Sequence, residues 1–127
     1  MSSEKEADLS HRIVHVAQAS DWARARLEGA YRPASLALEG YVHFSTPWQV
    51  PRIADGNFPG RDDLVALVVD PERLGVELRY ENCEGGVEPF PHVYGPIDLD
   101  AVIEAIPLEW DARKAGYRFP DGWRPGG

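Results

Sequence analysis

Apolar and polar residues alternate in three short runs, and each run carries a histidine: Ile13-Val14-His15-Val16, Tyr41-Val42-His43-Phe44-Ser45-Thr46 and Phe90-Pro91-His92-Val93-Tyr94-Gly95. A strand points successive side chains to opposite faces, so each run assigns its histidine a side and neighbours. Val14 and Val16 fall opposite Ile13, His15 and Ala17. Tyr41, His43 and Ser45 fall opposite Val42 and Phe44. His92 and Tyr94 share a side. The first run predicts a strand over about 12–18 and the second a strand over about 40–46.

Between them, Ser20-Asp21-Trp22 opens a helix with Ser20 as cap and Asp21 complementing the dipole, and Gly29 closes it. So short a helix needs tertiary packing, which Trp22 and Leu27 are expected to supply. Residues 31–36 then connect to the second strand. Thr46-Pro47 predicts a cap and a first helical turn, with the helix running to about Asp55 before Gly56. Leu64 to Val69 is almost unbroken aliphatic sequence, the signature of a central strand buried on both faces. Asp70 to Gly75 forms a turn, Val76 to Tyr80 alternates as a strand, and residues 82–91 form a loop. Gly95-Pro96 turns the chain. Asp98 favours a short helical start, and the last strand is expected within Val102 to Trp110.

Residues 1–11 are expected to be a loose tail and residues 113–127 an irregular one. The core, residues 12–112, is expected to be a single small α+β domain. Its sheet is split or mixed, mostly antiparallel, with five to six strands and two short helices.

Composition narrows the field. A chain of 127 residues, 43% hydrophobic and 27% charged, suits one globular domain. No apolar stretch approaches the roughly 20 residues a membrane helix needs, and the polar start Met1 to Glu6 has no signal-like apolar region, so a cytoplasmic protein is expected. Cys83, the lone cysteine, excludes an internal disulfide and a thiolate metal cluster. Glu81 and Glu84 beside it disfavour its thiolate. A net charge of −8 argues against an extensive nucleic-acid surface. A small anionic or nucleotide ligand stays feasible, because local groups dominate within a Debye length of about 8 Å.

The chemistry lies in the histidines. One histidine on a strand is more often a hydrogen-bonded core residue than a catalyst. Three of them near hydroxyl groups point to one polar cleft, lined by His15, His43, Ser45, His92 and Tyr94. No metal site is expected among the histidines. His43-Phe44-Ser45 also has the His-x-Ser form of two-histidine phosphoesterases, with His43 and His92 as the acid–base pair of a cyclic phosphoesterase. The second hydroxyl of that motif is missing. A non-enzymatic interaction module, its histidines satisfying internal polar networks, is the third reading.

The order of motifs, Ile-Val-His-Val, Tyr-Arg-Pro-Ala-Ser-Leu, Glu-Gly-Tyr-Val-His-Phe-Ser-Thr, Leu-Val-Val-Asp-Pro-Glu-Arg-Leu, Arg-Tyr-Glu and Phe-Pro-His-Val-Tyr-Gly-Pro, resembles the family called domain of unknown function 952 from Ile13 to Leu108. That resemblance implies a divergent ADP-ribosyltransferase-like fold, of the NAD-binding group that includes RNA 2′-phosphotransferases. By position it implies that His15 contacts the NAD ribose, that His43-Phe44-Ser45-Thr46 forms the second motif, and that Tyr31 and Arg32 close over the ligand. NAD is then the cofactor or substrate, and the product is either an ADP-ribosyl transfer or binding alone. The late acidic residue is best matched by Glu81, with Glu84, Glu88 and His92 as the other candidates.

Overall fold

The computed structural model describes residues 12–82 and 88–120. Two apolar clusters meet on the first strand, β1 (Ile13–Gln18), through its alternation. Ile13 and Ala17 pack with Tyr31, Phe44, Leu67 and Val93, while Val14 and Val16 pack with Val50, Ala54, Val68 and Ile106. After β1 the order is α1 (Ala19–Glu28), β2 (Ala30–Tyr31), α2 (Ala34–Glu39), β3 (Val42–His43), α3 (Val50–Asn57) and β4 (Leu64–Val69). There follow β5 (Leu78–Glu81), β6 (Phe90–Val93), β7 (Ile97–Asp98), β8 (Val102–Pro107), β9 (Glu109–Asp111) and β10 (Gly116–Arg118).

The aliphatic run forms β4 and lies between β1 and β8, antiparallel to both. Its two faces feed the two clusters, as an unbroken apolar strand must. A second antiparallel sheet has the order β3-β6-β5, and β2-β7 and β9-β10 are two-stranded ribbons. The two larger sheets meet at a bridge between Val14 and Ser45, where each amide donates to the other's carbonyl at 2.8 and 2.7 Å. The fold is thus α+β with split, antiparallel sheets.

Several elements depart from the sequence expectation. The described residues hold ten strands rather than five or six, because short pairings such as β2-β7 carry no alternation long enough to see. They hold three helices rather than two. Residues 34–39 (Ala-Ser-Leu-Ala-Leu-Glu), expected to be a connection, are good helix formers; they follow Pro33 as α2 and end at Gly40, whose φ of +85° suits glycine. Ser20 does not cap α1: the cap position falls on Gln18 without a side-chain bond, and the Ala19 amide donates to the Asp63 carbonyl at 2.8 Å. Leu27 is 90% exposed, since it lies five residues and about 140° around the helix from the packed Trp22. Gly56 does not stop α3, which starts at Val50 and reaches Asn57.

The tail expected to be irregular from Arg113 contains β10. Tyr117 anchors it, with its amide donating to Asp55 at 2.6 Å, its hydroxyl to the Phe58 carbonyl, and its ring edge-on to Trp110 at 4.9 Å. Asp55 and Phe58 are distant in sequence, so no local pattern announces them.

Gly95 follows β6 because nothing larger fits. A Cβ there would lie 2.5 and 2.9 Å from Val76 atoms, and Val76 is β-branched and stiff. Gly95→Ala is expected to cost about 1–3 kcal/mol in urea unfolding; an unchanged midpoint would show that Val76 can step aside.

Candidate functional site

His15 sits at the junction of the two sheets. Its Nδ1 lies 2.7 Å from the His43 carbonyl oxygen and its Nε2 lies 2.7 Å from the Tyr31 hydroxyl. A carbonyl can only accept, so Nδ1 carries the proton and Nε2 accepts from Tyr31. Burial pushes the His15 pKa down to about 4, against the His43 carbonyl bond, which works upward. Burial also raises the Tyr31 hydroxyl pKa, so Tyr31 remains a donor. His15 is therefore a neutral imidazole with both nitrogens engaged, its ring against Tyr31 and Phe44 at centroid distances of 5.1 and 5.5 Å.

Beside it opens a cleft of about 250 Å³. β1 contributes His15 and Val16, and the β3 segment contributes Tyr41, His43 and Ser45. α2 contributes Ser35 and Glu39, and α3 contributes Ile53 and Asn57, with Phe58 just beyond. The bridge from Ser45 to Val14 holds the β3 segment against β1, which is why side chains from both sheets face one space.

A second cluster lies on the same face of the β3-β6-β5 sheet. His43 and His92 are direct cross-strand partners with ring centroids 5.4 Å apart. Glu81 Oε1 accepts from the Tyr94 hydroxyl and faces His92 Nδ1 at 3.0 Å, and these bonds hold its carboxyl below the usual range. Tyr41 stacks on His92 at 4.1 Å, and Arg79 lies 4.9 Å over the Tyr94 ring. His92 is 3% exposed.

Residues 16–105 match the family model described as Protein of unknown function (DUF952). The chain belongs to the DUF952 family. Its fold is shared with the crystal structure of protein CC0527 from Caulobacter crescentus, 30% identical, with a TM-score of 0.73 over 83% of this chain and 92% of that one. The solution NMR structure of CC0527 gives a TM-score of 0.71 at 30% identity, over 83% of this chain and 90% of that one. No curated protein matches the chain.

In this DUF952 domain the structure brings His15, His43 and Ser45 into one cleft, as the alternation implied. It does not bring in the rest. His92, Tyr94 and Glu81 form the neighbouring network, screened by Tyr41. Tyr31 backs His15 from the far side, where it and the exposed Arg32 border a separate hollow of about 90 Å³ with Asp21, Arg24 and Glu28. Thr46 is engaged locally: its amide donates to Gln49 Oε1 at 2.8 Å, in the turn that leads into α3. Glu88 pairs with Arg52, and Cys83 and Glu84 fall outside the described residues. Among the described residues no cluster could hold a metal ion and no helix is long and apolar enough to cross a membrane.

Sequence reasoning missed Ser35, Glu39 and Asn57. All three reach the cleft from helices. For Ser35 and Glu39 the signal was the Ala34–Glu39 helix itself, which swings Glu39 to the rim two residues before Tyr41.

Proposed function

We propose that this protein binds a small NAD-like or nucleoside-type ligand in the cleft between β1, the β3 segment, α2 and α3. The observation that carries the reading is the convergence of His15, His43 and Ser45 from two sheets on one cleft. At about 250 Å³ the cleft falls just below the ~300–1,000 Å³ of pockets that enclose drug-sized ligands. It suits one ring and its sugar, with the rest of a dinucleotide outside. Tyr41 and Phe58 offer aromatic walls, and Ser35, Ser45, Asn57 and Glu39 offer polar edges.

Binding is better supported than general acid–base work. His15 has no nitrogen free to take a proton, which leaves it as a shaped and neutral wall. If the ADP-ribosyltransferase resemblance extends to transfer, the reaction needs negative charge beside an oxocarbenium-like centre. In this cleft Glu39 is placed to supply it, and Glu81 is not. The cyclic-phosphoesterase reading is weaker, since His92 is buried under Tyr41 and tied to Glu81.

Titration with NAD, followed through the histidine ring C–H resonances, tests the proposal. Saturable shifts are expected at His15 and His43, with affinity falling roughly tenfold in His43→Ala. No shift at millimolar NAD would reject it.

A further inference from the structure

We infer that the cleft selects unphosphorylated nucleosides, neutral or cationic, over their phosphate esters. This rests on the small-ligand reading above and names the chemistry that the site accepts.

Two independent observations support it. The first is charge. Among the described residues lining the cleft there is no lysine or arginine, and Glu39 is the one carboxylate. His15 is neutral because both of its nitrogens are committed within the protein. A phosphate placed here would meet a carboxylate and no lysine or arginine, inside a protein of net charge −8. The nearby arginines lie elsewhere: Arg52 is paired with Glu88, and Arg24 and Arg32 border the separate hollow behind Tyr31.

The second is the pattern of polar groups along the walls. Ser45 is 1% exposed, its backbone is paired with Val14, and its side chain lines the cleft. Ser35 and Asn57 likewise present polar side chains to the cleft. Two hydroxyls and an amide can each donate and accept, and a carboxylate accepts. That set matches vicinal sugar hydroxyls, which donate to Glu39 and exchange bonds with the serines. A base or pyridinium ring then lies between Tyr41 and Phe58. A pyridinium nucleoside gains further from the Glu39 charge.

The test compares matched pairs: adenosine with AMP, and nicotinamide riboside with its 5′-monophosphate. Binding is followed at low salt by amide shifts of Ser45 and Asn57. A phosphate dianion held roughly 6 Å from a carboxylate in a water-like dielectric is disfavoured about tenfold. Each monophosphate is therefore expected to bind about tenfold more weakly than its nucleoside. Glu39→Gln, on an exposed position of α2, should close that gap, and Ser45→Ala should weaken both members of a pair. Equal or tighter binding of the monophosphates, or a gap that persists in Glu39→Gln, overturns the charge inference while leaving the cleft a ligand site. Silence of both amides with all four compounds and with NAD removes the small-ligand reading itself.

Discussion

Acidification from pH 7 to pH 4.5 is expected to strip on the order of 3 kcal/mol from the stability of this domain, through His15 alone. The folded protein holds His15 neutral down to about pH 4, whereas the unfolded chain protonates it near 6.5. Between those values the unfolded state binds more protons, so stability is complete above pH 6.5 and drains away as pH falls toward 4. For a domain of this size, with total stability of roughly 5–15 kcal/mol, that loss is large. Glu81 titrates in a different window. Its carboxyl is held low by Tyr94 and then His92, so its contribution is present above its ordinary value of 4.5 and is lost only as pH falls below it. Urea unfolding from pH 7 to 4.5 lies mostly above the Glu81 window, and comparison with His15→Gln assigns the slope. His15→Gln should lose stability at pH 7 and flatten the slope, and an unchanged slope would show that His15 is not the group responsible.

Phe44→Ala is expected to cost about 3–5 kcal/mol, read as a drop in urea midpoint with the m-value preserved. Phe44 is 1% exposed and is among the largest fully buried side chains. It packs with Ile13, Leu67 and Val93, and its ring lies 5.5 Å from that of His15. Its amide also donates to the Pro91 carbonyl at 2.8 Å, tying β6 to the segment that faces β1. Truncation leaves a cavity beneath the cleft wall, and a rigid close-packed interior collapses only partly into such a space. Phe44→Leu retains most of the volume and should lose far less. If both variants lose the same amount, the ring's size is not what the site requires.

The parts of this molecule legible in its sequence are those encoded by local alternation. Val14 and Val16 face one core and Ile13, His15 and Ala17 the other, and Tyr41, His43 and Ser45 share one side. Leu64 to Val69 announced a strand buried on both faces because nothing else uses so many aliphatic residues in so short a run. What alternation cannot supply is distance in the third dimension. His92 shares a face with Tyr94, and so looked like part of the same cleft, but the stacked Tyr41 ring closes it off. Glu39 went unmarked because its place at the cleft depends on where α2 ends relative to α3. Leu27 and Ser20 show the same limit on a helix: composition suggested packing and a cap, and helix phase and the Asp63 carbonyl decided otherwise. Resemblance of motifs fixed the family and left the chemistry open.

The Val14–Ser45 bridge is made of backbone alone, and this separates two kinds of change along evolutionary time. At residue 45 the main chain joins the sheets while the side chain lines the cleft, as do those of Ser35, Glu39 and Asn57. His15 is the reverse, with its ring bonded on both sides. New ligand preferences can therefore arise by drift at those four positions without reopening the seam, whereas position 15 is frozen unless Tyr31 changes with it.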